Sequence, residues 1–299
     1  MRLGLALGGG GAKGMAHIGV LRVLDAARVP VHVVVGTSAG AIAGALYAAG
    51  KSPDEIDAAV RRLRLPQLLP RDRTEMGLFS TAGIHQVIDA AIGDGKRIED
   101  LPRAFAAIAV EMESGEEIVI ESGRVADAVS ASAAFPGLFA PTQIDGRWFF
   151  DGGVSDPVPF GAARRRGADR VIAVDLGADE PVLTGAPARH QHELFYRLLL
   201  AATNQKSLRV AGRAIGIMSK QIRLQRLRES PPDLILQPDV SDVGLIDLDL
   251  VDECIAAGEQ AARAALPQIE KLIALPEWRY RAQRTIERAR GRTPFLTVR

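Results

Sequence analysis

Short apolar runs alternate with helical patterns along the first part of the chain. Leu3–Leu7 is a short apolar run, and Val31–Val35 is rich in β-branched residues, as in strands that are covered on both faces. Between them, Ala16–Ala27 places its apolar residues at helical spacing. This order predicts a mostly parallel sheet with helices packed on it.

The same alternation continues towards the C-terminus. An alanine-rich helix is expected from Ala39 to about Ala49, and Ser52 followed by Pro53 is a typical start of the next helix. Further strands are expected at Ala104–Val110, Glu117–Glu121, Trp148–Phe150, Arg170–Asp175 and Asp233–Gln237. No internal repeat or linker is visible. We therefore expect one α/β domain over residues 1–275, followed by a basic tail over residues 276–299.

Residues 190–228 combine apolar side chains with many arginines and lysines, and Pro231 and Pro232 follow them. The pattern predicts a long helix with two interpretations. It could be a basic amphipathic cover that lies at a lipid interface and gates a site. It could equally be an ordinary helix that packs on the sheet and exposes a solvated basic face.

Composition and charge narrow the function classes. Hydrophobic residues make up 47% of the 299 residues, enough for a sizeable core. The 37 Lys and Arg residues balance 36 Asp and Glu residues, so no overall positive field favours nucleic acid. The single cysteine, Cys254, cannot form an internal disulfide and is expected to be buried.

No targeting or spanning segment is predicted. The apolar run at Leu3–Leu7 is too short for a signal peptide, and no stretch approaches the roughly 20 uncharged apolar residues that span a bilayer. We therefore expect a cytoplasmic protein, with or without peripheral contact to a membrane.

Ser38 occupies a G-x-S-x-G motif between a predicted strand and a predicted helix. A nucleophile elbow requires this context, because its serine lies in a strained turn with closely packed neighbours. Gly36 and Gly40 would remove side chains where strand and helix approach each other. The N–H of Ala39, the residue after the candidate nucleophile, would face a developing oxyanion.

A glycine-rich loop, Gly8–Gly14, follows the first strand and also fits a dinucleotide-binding motif. That reading requires an acidic residue after the second strand, where this chain has the Ser38 turn instead. The loop fits an oxyanion hole better, because glycine N–H groups can converge on a carbonyl oxygen. The expected donors and their supporting residues are Gly9, Gly10, Gly11 and Ala39, with Lys13 and Gly14 beside them. Lys13 is expected to anchor the loop or to meet an anionic head group.

A second glycine-containing stretch, Ala45–Ser52, loosely fits a phosphate-binding loop. Its first part is the body of the alanine-rich helix, and Pro53 follows directly. Gly50 is better explained as the C-terminal cap of that helix. We do not expect a nucleotide here.

Asp151 follows the aromatic strand Trp148–Phe150 and precedes Gly152 and Gly153. An aspartate at the carboxyl end of a strand lies where the active sites of α/β proteins collect. An ordinary Asp-Gly turn is the alternative, and the nearby Asp145-Gly146 pair is expected to be one.

Together, these motifs resemble the patatin-like phospholipase family, and the chain looks like its small bacterial members. The resemblance runs from about Leu3 to Leu176 and includes the block Ser130–Phe139 before the aspartate. It implies a three-layer α/β/α fold and a catalytic dyad of Ser38 as nucleophile and Asp151 as base. It also implies hydrolysis of phospholipids, lysophospholipids or simpler acyl esters. No metal-binding cluster is visible in the sequence, and we expect the activity to need no cofactor. Gly8 departs from plant members, which have an acidic residue there.

A three-residue triad would require a histidine oriented by an acid. The five histidines lie in unsuitable places: His17 on a helix, His32 inside a strand, His85 before a helix, and His190 and His192 at the start of the arginine-rich segment. We expect packing or surface roles for them.

Two alternatives remain. An acyl transferase similar to the malonyl-carrier-protein transacylases would need a catalytic histidine and an arginine for the malonyl carboxylate. A non-catalytic regulatory protein on the same fold would need an obstruction that the motifs do not reveal.

Overall fold

The computed structural model describes residues 1–62, 69–177, 206–244 and 247–280, with 282, 285 and 296–298. The strands in these ranges are β1 Leu3–Leu7, β2 Val31–Thr37, β3 Ala104–Glu111, β4 Glu117–Ile120, β5 Thr142–Ile144, β6 Arg147–Asp151, β7 Arg170–Val174, β8 Leu234–Leu236 and β9 Leu296–Val298. The α-helices are α1 Ala16–Ala26, α2 Ala39–Ala48, α3 Pro53–Arg61, α4 Ala82–Ile92, α5 Val125–Ser132, α6 Phe160–Arg165, α7 Lys206–Glu229 and α8 Val251–Ala274.

The strands form one mixed sheet in the order β5-β6-β3-β2-β1-β7-β8-β9, with β4 paired to β3 outside this order. The pairs from β3 through β2, β1, β7 and β8 to β9 are parallel. Strands β4, β5 and β6 pair in antiparallel fashion. The predicted, mostly parallel sheet is therefore confirmed.

Helices cover both faces of the sheet, as β1 illustrates. Leu3, Leu5 and Leu7 are buried in the larger core beneath α1, α2 and α8. Ala6 points the other way, into the smaller core that Phe160 of α6 completes. Because alternate side chains of a strand point to opposite faces, the two cores lie on opposite sides of the sheet. The three-layer α/β/α architecture follows.

The strands predicted from apolar runs lie within one or two residues of their expected ends. Ser52 caps α3 as expected: its side chain accepts a hydrogen bond from the N–H of Glu55, and Glu55 bonds back to the N–H of Ser52. Asp145 and Gly146 form the tight turn between β5 and β6, both with positive φ.

The long basic segment is partly described. Residues 190–205 lie outside the described residues, and α7 begins at Lys206. Two of its cations pair with acids: Arg223 with Asp175, and Arg226 with Glu117 and Asp156. The helical pattern alone does not reveal these pairs, because the acids are distant in sequence. Arg213, Lys220 and Arg228 of the same helix are exposed, and the two interpretations of the segment stay predictions.

The C-terminal tail contributes a strand. Leu296–Val298 pairs in parallel with Leu234–Leu236 at the edge of the sheet. Among the described helices, none combines the length and the apolar character needed to cross a membrane.

Candidate active site

Ser38 joins the end of β2 to the start of α2 in a strained backbone conformation. Its φ of 54° and ψ of −121° lie where non-glycine residues rarely occur. A Cβ on Gly36 would lie 2.3 Å from the carbonyl oxygen of Gly40, and a Cβ on Gly40 would lie 2.1 Å from that of Leu7. The two glycines therefore allow the close approach that holds the serine in this turn.

The register of β3 brings the candidate base to the serine. Thr37, the last residue of β2, pairs with Ile108, and Asp151, the last residue of β6, pairs with Ala109. Strand β4 pairs with Ala107–Val110 and so occupies the opposite edge of β3. Strands β2 and β6 thus share one edge of β3 and end towards each other. Ser38 and Asp151 meet where they end.

Asp151 is 2% exposed, and the Ser38 hydroxyl lies close enough to lower the pKa of its carboxyl group. The N–H of Gly153 donates a hydrogen bond to Asp151 Oδ1 at 2.7 Å. Burial raises the pKa of Asp151 from its usual 3.8 to about 6, and the effects of Ser38 and Gly153 partly oppose this rise. Gly152 is needed for packing, since a Cβ there would lie 2.3 Å from the carbonyl oxygen of Ile108.

The glycine-rich loop packs directly on the elbow. A Cβ on Gly14 would lie 2.5 Å from Ala39 Cβ, and one on Gly9 would lie 3.3 Å from Ser38 Cβ. Gly11 has a φ of 57°, which favours glycine, and begins a short 3₁₀ turn that leads into α1. The glycine-rich loop and the Ser38 turn therefore belong to one site.

Gly9 requires a correction as an oxyanion donor. Its N–H donates to the carbonyl oxygen of Pro157 at 3.0 Å, so it is already engaged. Gly10, Gly11 and Ala39 remain as candidates. Ala39 is the first residue of α2, where helix N–H groups have no acceptor within the helix.

Lys13 is only 2% exposed. Its charge lies close enough to Cys254 of α8 to lower the thiol pKa, against the larger upward effect of burial and that of Glu253. This burial fits an anchor of the loop and removes Lys13 from the surface where a head group would bind.

His17 supports the loop from beneath and is fully buried. Burial lowers its pKa to about 4, so the ring is neutral at pH 7 and Nε2 donates to the carbonyl oxygen of Gly8 at 2.8 Å. Its Nδ1 is buried without a hydrogen-bond partner among the described residues.

The other described histidines lie away from the dyad. His32 Nδ1 accepts from the N–H of Leu3 at 3.2 Å. His85 was expected before a helix but lies inside α4, where it contacts Asp127 at 2.9 Å. None of the described histidines is hydrogen-bonded to Ser38 or Asp151. His190 and His192 lie outside the described residues.

Two serines beside the dyad were not singled out from the sequence. The N–H of Ser38 donates to Ser132 Oγ at 2.9 Å, and Ser132 is fully buried. Ser132 belongs to the block Ser130–Phe139 before Asp151, so the family resemblance could have pointed to it. Ser219 on α7 donates to the carbonyl oxygen of Gly153 at 2.8 Å, and no motif marks it.

Within the described part of the chain, no group of three His, Cys, Asp or Glu side chains is arranged to hold a metal ion.

The sequence matches the patatin-like phospholipase family over residues 5–164, more than half of the chain. The chain belongs to the patatin-like phospholipase family. The match contains the glycine-rich loop, the Ser38 elbow and the Asp151 turn. The family resemblance predicted from the motifs is confirmed.

Curated relatives extend the patatin-like similarity beyond residue 164. An uncharacterized NTE family protein of Mycobacterium tuberculosis is 32% identical over 277 residues, covering 88% of this chain and 46% of the relative. A lysophospholipase NTE1 of Pyricularia oryzae is 27% identical over 291 residues, covering 92% of this chain and 19% of the relative. This chain thus spans less than half the length of these relatives.

Among solved structures, VipD from Legionella pneumophila has a TM-score of 0.54 at 14% identity, covering 90% of this chain and 67% of that chain. At this identity the likeness concerns the fold alone, and it agrees with the three-layer patatin-like architecture.

Proposed function

We propose that this protein is a carboxylic ester hydrolase that acts on lipid esters, with Ser38 as nucleophile and Asp151 as general base. The observation that carries the proposal is that the strained turn at Ser38 and the buried Asp151 carboxyl meet where β2 and β6 end, so that the Ser38 hydroxyl lowers the pKa of Asp151. Family membership supports the same reaction class.

In the first step, Asp151 accepts the hydroxyl proton of Ser38 as Ser38 Oγ attacks the ester carbonyl. In this proposal the N–H of Ala39 and those of Gly10 and Gly11 stabilise the resulting oxyanion. Protonated Asp151 then donates its proton to the leaving alcohol, and an acyl-Ser38 ester remains. In the second step a water attacks this ester and Asp151 accepts the water proton. Asp151 then returns this proton to Ser38 Oγ as the bond between Oγ and the acyl carbon breaks, and the fatty acid leaves.

A pKa of about 6 suits this role of Asp151. A base whose pKa lies near the working pH is largely ionised at neutral pH and still accepts a proton readily. A carboxylate with the usual pKa near 3.8 would be a weaker base towards a serine hydroxyl.

For the substrate, we propose phospholipids or lysophospholipids. The family description and the lysophospholipase relative of Pyricularia oryzae support this class. Peripheral contact with a lipid surface is part of the proposal, and the exposed apolar residues Val210, Ile217 and Met218 of α7 support it.

A hydrolysis panel tests the proposal. Native protein, Ser38→Ala and Asp151→Asn are assayed on phosphatidylcholine vesicles, lysophosphatidylcholine micelles and short p-nitrophenyl esters. Ser122→Ala is the matched control, because Ser122 is exposed. We expect both dyad variants to lose several orders of magnitude in rate and the control to retain native activity. Native protein that hydrolyses none of these esters, or Ser38→Ala with about a tenth of the native rate, would refute the proposal.

A further inference from the structure

Helix α7 contacts the turn that carries the candidate base. Ser219 is 6% exposed, and its hydroxyl donates to the carbonyl oxygen of Gly153 at 2.8 Å. The N–H of the same glycine donates to Asp151 Oδ1 at 2.7 Å. One residue, Gly153, therefore connects the helix to the carboxylate.

Gly153 has no side chain to restrain its backbone. A glycine explores more backbone conformations than any other residue, so the direction of its N–H depends on the contacts around it. The Ser219 hydroxyl bonds one of its two backbone polar groups, and Asp151 accepts from the other. Loss of the hydrogen bond from Ser219 would therefore weaken the hydrogen bond from the Gly153 N–H to Asp151.

A second contact from α7 reaches the chain just after this turn, at Asp156. Arg226 of α7 pairs with the buried Asp156 carboxylate at 3.3 Å and with Glu117 at 2.5 Å. The carbonyl oxygen of Asp156 accepts a hydrogen bond from the hydroxyl of Thr37, the residue before the nucleophile, at 2.8 Å. The helix thus reaches the backbone on both sides of the dyad.

We propose that Ser219 is a positioning residue for the base, acting through Gly153 to orient the Asp151 carboxylate towards Ser38. Ser219 lies outside residues 5–164, which match the family, so this role belongs to the C-terminal part of the chain. The inference rests on the proposed function.

The pH dependence of the rate should report this role. The hydrogen bond from Gly153 favours the ionised form of Asp151, so weakening it raises the pKa of the carboxyl further. The titratable and charged groups around the turn are Asp156 with Arg226, Glu117 and Arg165, and Asp175 with Arg223. Burial raises the pKa of Asp156 to about 8, so Asp156 acts on the alkaline side of the profile and not on the acid limb. Replacing Ser219 removes no charge, and a shift would therefore come from the hydrogen bond.

The test compares native protein with Ser219→Ala, Ser219→Thr and, as a control on the same helix, Gln221→Ala, whose side chain is exposed. The rate on a soluble p-nitrophenyl ester is measured from pH 5 to 9, together with the thermal unfolding midpoint. For Ser219→Ala we expect kcat to fall about tenfold with little change in KM, and the acid limb to move up by about half a pH unit. Ser219→Thr retains a hydroxyl and should recover most of the rate, and Gln221→Ala should match native protein.

The outcomes are separable. Ser219→Ala with native kcat and a native acid limb would overturn the positioning role. A rate lowered equally at every pH, with a lower unfolding midpoint and no recovery in Ser219→Thr, would overturn it in favour of a purely structural contact. Native protein without Ser38-dependent hydrolysis would overturn the proposed function, and this inference with it.

Discussion

At the scale of single residues, the site depends on glycines whose replacement would collide with backbone or with the elbow. Gly14 is the clearest case in the glycine-rich loop, because a Cβ there would lie 2.5 Å from Ala39 Cβ. Sequence motifs predicted Gly14 as a supporting residue but could not show the contact. They also placed Gly9 among the donors, since a motif does not reveal that Pro157 already accepts from its N–H.

Gly14→Ala should therefore push the loop away from the elbow and lower kcat. The loss should approach the roughly 10² to 10³-fold effect of removing one oxyanion donor. Gly161→Ala is the matched control, because a Cβ there meets only the flexible end of Arg165, at 3.5 Å. Steady-state kinetics on a soluble ester compares the two. A folded Gly14→Ala variant with native kcat would remove the loop from the mechanism.

The raised pKa of Asp151 predicts the pH profile. As a base, Asp151 must be ionised, so kcat/KM should be constant above its pKa and fall about tenfold per pH unit below about 6. The profile is measured on a soluble, uncharged ester to keep substrate ionisation out of the result. An acid limb near 4, the ordinary value for an aspartate, would contradict the desolvated environment that the structure gives it.

At the scale of elements, the strands and the helices next to them follow from local patterns, whereas the contacts between elements do not. The apolar runs predicted β1, β2 and β3, and the capping residues predicted the start of α3. The acids that Arg223 and Arg226 of α7 contact could not be predicted, because they lie some fifty to a hundred residues away in sequence.

Arg170 illustrates such a contact at the end of α8. It is buried, and its guanidinium donates to the carbonyl oxygens of Leu272, Ile273 and Leu275. These are the carbonyls that a helix leaves without partners at its C-terminus.

Arg170→Met should leave these carbonyls unpaired and lower the free energy of unfolding by about 2 kcal/mol or more. Urea unfolding measures the effect, with Arg166→Met as the control, because that arginine is part-exposed and pairs with the half-exposed Glu121. Equal stability of the two variants would contradict the capping role. The folded fraction of Arg170→Met should keep native specific activity, since Arg170 is not one of the two proposed catalytic residues.

At the scale of the whole molecule, the proposed dyad combines residues from distant parts of the chain. Ser38 and Asp151 are 113 positions apart in the chain, and they meet because β2 and β6 end towards each other on one edge of β3. The family resemblance predicted that these two residues act together. The register of β2 and β6 on β3 explains why they are neighbours, and α7 adds contacts that the motifs did not contain.

The central claim is that Ser38 is a nucleophile activated by Asp151, and covalent labelling tests it most directly. Native protein is treated with a fluorophosphonate, and peptide mass spectrometry locates the adduct while intact mass follows its rate. The account predicts one phosphonyl group on Ser38, with labelling at least about a hundredfold slower in Asp151→Asn. An adduct on another residue, or native labelling of Ser38 in Asp151→Asn, would contradict it.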